Sequence, residues 1–121
     1  MSLKEAIRGA QNAIRRLAGE NVIYQRGMAT VTVRAVRGQT VFRLPDENGI
    51  EIRIAMGDYL VEAEKLILGG MAVQPQLGDR IVQMDGAVYE VLGPGGGEPE
   101  WEWSGPPGLT FRIHTKEVRS G

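Results

Sequence analysis

The chain has 121 residues, with 14 Lys and Arg against 15 Asp and Glu, a formal net charge of -1 and no cysteine. That balance excludes bulk electrostatic attraction to nucleic acid or anionic lipid, and the missing thiols exclude disulfides and thiolate metal sites. A chain of this length can bury roughly two thirds of its unfolded surface, so a single domain over 1–121 is expected to fold without staples. No apolar run reaches membrane length and none follows Met1, so the expectation is synthesis in the cytoplasm with no membrane partner.

The first expected element is a helix within residues 1–19. Leu3, Ile7, Ala10, Ile14 and Leu17 step by four, three, four and three, drawing one apolar stripe opposite Lys4, Arg8, Gln11, Arg15 and Arg16. Ser2 and Glu5 form a capping box, and Gly19 stands where a left-handed C-terminal cap would. Arg15 and Arg16 complement the helix dipole there, so packing over a sheet is favoured over a membrane or RNA surface.

After Gly19 the period becomes two. Asn21 to Arg26 and Met28 to Val36 read as a hairpin around Arg26-Gly27, and Gln39 to Leu44 continues it. Pro45-Asp46-Glu47-Asn48-Gly49 supplies an exposed turn, after which Ile50, Ile52, Ile54 and Met56 alternate with Glu51 and Arg53 as a half-buried strand. Asp58 to Ala63 reads as strand followed by a short helical turn. Arg80 to Met84 and Val88 to Leu92 flank Asp85-Gly86, a dipeptide suited to a tight hairpin turn. Leu109, Phe111 and Ile113 alternate with Thr110, Arg112 and His114 in a last strand, before a polar tail at 117–121. About seven strands at this spacing give a mainly β fold, a small antiparallel barrel or sandwich over 20–116 with one N-terminal helix.

Both tryptophans lie between Gly93 and Gly108, where ten of sixteen positions are Gly or Pro. That density predicts a loop over 93–108 carrying Trp101 and Trp103, with the indoles either making external contacts or folding back on the core. Glu98, Glu100 and Glu102 alternate with them and lack the burial and fixed spacing of an acid/base pair. The glycines of 93–97 lack the Gly-Lys-Ser/Thr ending of a phosphate loop. His114, the one histidine, has no cysteine or second histidine to share a metal and reads as a solvated strand residue. No serine has a base nearby in sequence, so neither catalysis nor a cofactor is expected.

The C-terminal third resembles a family of small tailed-phage head-tail joining proteins, similar to the head-tail attachment protein of lambdoid phages. The matching residues are Leu77-Gly78-Asp79-Arg80-Ile81, Asp85-Gly86 with Tyr89-Glu90-Val91-Leu92, Gly93 to Pro99 with Trp101-Glu102-Trp103, and Thr110 to Lys116. Asp58-Tyr59-Leu60-Val61 fits the strand that precedes them, and together they cover about half the chain.

The resemblance implies a non-catalytic virion assembly protein at the head-tail interface, a homo-oligomeric ring between the portal or connector and the tail. The loops at 45–49 and 93–108 are the segments expected to order on assembly. Trp101 and Trp103 are the candidate anchors, with Glu98, Glu100, Glu102, Pro45, Asp46 and Asn48 as further interface candidates. The competing reading is a binding module that takes peptide, RNA or a small ligand through exposed aromatics such as Tyr24, Tyr89, Trp101 and Trp103. The glutamates beside the tryptophans weigh against nucleic acid.

Overall fold

In a computed structural model of the chain, the described residues are Leu3 and 19–121, so the helix expected over 1–19 lies outside them except at Leu3 and Gly19. The rest is mainly β. Strands β1 (Glu20–Arg26), β2 (Ala29–Pro45) and β3 (Glu51–Glu62) form a meander, and a 3-10 turn at Ala63–Lys65 follows. Then come β4 (Ile67–Leu68), β5 (Met71–Ala72), β6 (Arg80–Gln83), β7 (Val88–Val91), β8 (Trp101–Trp103) and β9 (Thr110–Arg119).

Glycines make the tight reversals possible. Gly27 between β1 and β2 has φ of 59°, Gly86 between β6 and β7 has φ of 97°, and Gly69 and Gly70 between β4 and β5 have φ of 59° and 81°. These are left-handed conformations that a Cβ disfavours.

All pairings are antiparallel. Seven strands share one sheet in the order β3-β2-β1-β6-β7-β9-β8, and β9 also pairs with β3, so the circuit of pairing returns on itself. Strand β9 makes that return by using both edges. Its Ile113 faces Tyr59 of β3 on one side and Trp101 of β8 on the other, while Thr115 to Arg119 pair with β7.

Side chains on one face of this circuit make the core. Val22, Tyr24, Val33, Ala35, Tyr59, Val61, Ile81, Val91, Phe111 and Ile113 are all buried and belong to one cluster. Tyr24 and Tyr59 enter it because their hydroxyls find partners, Asp79 and Gln83 respectively. Burial pushes the Tyr59 phenol up to about 12.

Three expectations are corrected here. The segment 93–108 is not a continuous loop, because β8 pairs Trp101, Glu102 and Trp103 with Ile113, Arg112 and Phe111. The tail expected at 117–121 begins as strand, since β9 runs to Arg119 opposite Val88. His114 is not solvated, because both faces of β9 are covered over Thr110 to Thr115 and its side chain is 1% exposed.

Candidate functional site

Strand β2 pairs with β1 only as far as Ala35, and β3 meets β9 only from Gly57 onward. Residues 39–56 therefore form a two-stranded arm whose ladder bonds run between its own strands, about 20 Å long at strand rise. Its tip is tied by Asp46, whose Oδ1 accepts from the backbone N–H groups of Asn48 and Ile50 at 2.8 Å each. The Asp46 N–H donates to the Ile50 carbonyl at 2.7 Å, and Gly49 takes φ of 79°. Asp46 is thus the turn's own cap.

The arm has two distinct faces. Phe42 opposite Ile54 and Leu44 opposite Ile52 make one of them apolar. Val41 opposite Ala55, Arg43 opposite Arg53 and Pro45 opposite Glu51 make the other, with the two arginines directly across from each other. Val41, Ile50 and Ile52 are 53%, 64% and 40% exposed, an apolar load that a free hairpin leaves in water.

The glycine-rich segment lies against the arm's apolar face. A Cβ at Gly96 would stand 3.4 Å from Leu44, so the bare backbone there is in van der Waals reach of the leucine. Both ends of the segment are fastened at one residue: Leu92 N–H donates to the His114 carbonyl at 3.1 Å, and His114 N–H donates to the Glu100 carbonyl at 2.9 Å. Within it, a Cβ on Gly93 would meet the Glu98 carbonyl oxygen at 2.5 Å. Gly93→Ala must therefore push Glu98 and Pro99 away, at a cost of about 1–3 kcal/mol, read as a lower urea midpoint with unchanged slope.

Trp101 and Trp103 sit on the core face of β8, half-buried. Trp103 stacks on Phe111 at 4.9 Å and 16°, and Trp101 meets both Phe111 and Trp103 edge-on at 4.9 Å. The indoles fold back, and Trp103→Ala is expected to lower stability by about 2 kcal/mol in chemical denaturation, less than a fully buried tryptophan would. Glu98 and Glu102 are exposed and Glu100 is half-buried.

Two buried carboxylates organise the rest. Asp58 on β3 accepts from Arg112 at 2.8 Å and from the Thr40 hydroxyl, both on Oδ2, while His114 Nδ1 donates to Oδ1 at 2.8 Å. Burial alone would raise the Asp58 carboxyl, but the bonds from His114, Thr40 and Arg112 together hold it below the usual carboxylate range. Gly38, opposite Asp58, leaves room for Arg112, whose Nη1 would be 3.4 Å from a Cβ there. Phe42 covers the imidazole edge-on at 5.0 Å.

Asp79, before β6, accepts from the Tyr24 hydroxyl, from Arg26 at 2.9 and 2.8 Å, and from the Gln76 N–H at 3.0 Å. Burial first, and the bond to Asp79 second, push the Tyr24 phenol well above its ordinary range.

The Asp58–His114 contact has the carboxylate–imidazole half of a catalytic triad, yet the neighbouring hydroxyl, Thr40, bonds to the carboxylate and the ring is walled off from water. Both carboxylate centres therefore act as staples between strands. Sequence reading missed them because every bond spans more than fifteen residues, apart from Gln76 to Asp79.

The structure brings the sequence candidates into two groups. Pro45, Asp46 and Asn48 are at the arm tip, while Glu98, Glu100, Glu102, Trp101 and Trp103 are on or beside β8. Gly96 against Leu44 is the contact that links the glycine-rich segment to the arm. The aromatics of the binding-module reading are not gathered on a surface: Tyr24 is fully buried, and Tyr89 lies under Arg37 at 5.5 Å. Among the described residues no group of three or more His, Cys, Asp or Glu could hold a metal ion, and no helix is long and apolar enough to cross a membrane.

A family model described as phage head-tail joining protein matches residues 1–121. The chain belongs to that family. No curated protein matches it in sequence. Membership makes it a structural component of the phage virion, an adaptor that meets head and tail components. The arm leaves Val41, Ile50 and Ile52 exposed, and Glu98 and Glu102 stand exposed beside and on β8.

Proposed function

We propose that the chain is one subunit of a non-catalytic ring seated between the portal and the tail, a single domain whose strands close into a small barrel. The pairing of β3 with β9, which completes the strand circuit, supports the barrel. The observation that carries the adaptor reading, beside family membership, is the arm over 39–56, whose exposed Val41, Ile50 and Ile52 have no interior to enter. Apolar surface held out on a hairpin is what a contact with a neighbouring virion protein buries.

In this reading the arm tip, with Pro45, Asp46 and Asn48, and the β8 region, with Glu98, Glu100, Trp101, Glu102 and Trp103, are the interfaces. The tryptophans contribute chiefly by stiffening β8, since their rings lean on Phe111. The deciding experiment is electron microscopy of particles from a phage in which the gene is disrupted, beside a complemented control. Filled heads and separate tails are expected, and normally joined virions would overturn the reading. A count of copies per junction in complemented particles tests the ring.

A further inference from the structure

Arg43 and Arg53 stand directly across from each other on the outer face of the arm, a cross-strand placement of like charges that costs stability in isolation. Among the described residues the ion pair of Arg43 is a long 3.8 Å contact to Glu51, with both side chains 63% exposed. Alternation along β2 turns Leu44 and Arg43 to opposite faces, and the chain's own glycine-rich segment lies on the Leu44 side, at Gly96. Glu98, two residues on from Gly96, therefore follows on the apolar side of its own arm, and Glu102 is on β8, which pairs with β9 and not with the arm.

We propose that the arginine face of the arm docks on the Glu98 and Glu102 surface of a second copy of this chain. This rests on the ring reading and names its subunit contact. Charge complementarity selects the occupant, because the two patches are opposite in sign and both are exposed. Each copy carries both of these patches, at different places, so the contact is head-to-tail, the type that closes into a ring when the rotation fits. Strand β8 suits the receiving role, since among the described residues β9 is its one neighbour in the sheet order and no second strand pairs with its other edge.

The test is complementation of the gene-disrupted phage with charge-reversed chains. Arg43→Glu with Arg53→Glu, and separately Glu98→Arg with Glu102→Arg, are each expected to lower joined particles by about tenfold or more, and the four changes together to restore them to within about threefold. Thermal melts of the purified variants establish that each is folded. In parallel, Arg53→Cys with Glu102→Cys, in a chain that otherwise has no cysteine, is expected to give covalent multimers from assembled particles on oxidation. Reversals without mutual rescue, or no multimers although several copies are counted per junction, would overturn this contact and leave the ring standing. One copy per junction would overturn the ring and this contact with it.

Discussion

Asp79→Ala is expected to destabilise the chain by about 3 kcal/mol, a fall in Tm of about 10 °C or more for a domain of this size. The carboxylate takes four hydrogen bonds, and its loss strands three donors, of which the Gln76 N–H is on an exposed residue and can turn to water. Arg26 is 28% exposed and can turn to water, so its part of the loss is modest. Tyr24 is fully buried and cannot, so its hydroxyl bears the desolvation cost without a partner. The variants are therefore not additive. Adding Tyr24→Phe to Asp79→Ala should return about 1 kcal/mol, because the orphaned hydroxyl goes, whereas Tyr24→Phe in the native background should cost about that much. Equal costs for Tyr24→Phe in both backgrounds, measured by urea unfolding, would refute the stapling role.

The same centre shows what a sequence can and cannot display. Leu77-Gly78-Asp79 reads as turn chemistry, and Gly78 does take φ of 88°, but that the aspartate reaches β1 depends on β1 pairing with β6. Local signals were reliable where one hairpin decides the outcome. The reversals at Gly27 and at Asp85-Gly86, the turn at 46–49 and the strand that ends in a helical turn at Ala63 all stand where alternation and turn residues place them. The long β2 strand continues unbroken through Gly38, a residue whose small size leaves room for Arg112.

Misreadings cluster where a distant element covers a polar face. Thr110, Arg112 and His114 alternate with apolar residues as a solvated face would, yet Asp58 sits in register with His114 from fifty-six residues away and Phe42 covers the ring. At β8 the signal was present in miniature: Trp101-Glu102-Trp103 alternates with period two, but the surrounding Gly and Pro outweigh three residues. The Gly69-Gly70 hairpin carried the dipeptide that favours such a turn, in strands too short for any period. For the arm, alternation gives both faces. That β1 and β9 stop short of it, which makes it an arm, is fixed only by the register of the whole sheet.

Acid should expose the second staple. Asp58→Asn is expected to cost about 3 kcal/mol at neutral pH, chiefly because it leaves the buried His114 facing a neutral amide, while Arg112, 26% exposed, can turn in part to water. The native chain should show a matching pH dependence. Because the folded carboxyl lies below its ordinary value of about 3.9, the stability it contributes is fully present above that pH and is lost as pH falls toward the folded value. Unfolding free energy measured between about pH 5 and pH 2 should thus drop more steeply for the native chain than for Asp58→Asn, and parallel curves would sink the assignment. The consequence for assembly follows from where the partners stand. Thr40 is on the β2 strand of the arm's root, Asp58 on its β3 strand, and Arg112 and His114 on β9, so this one carboxylate ties both strands of the arm's root to β9. Amides of residues 39–56 should exchange with solvent faster in Asp58→Asn than amides of β6 and β7, which the staple does not touch, and virion joining should fall with them.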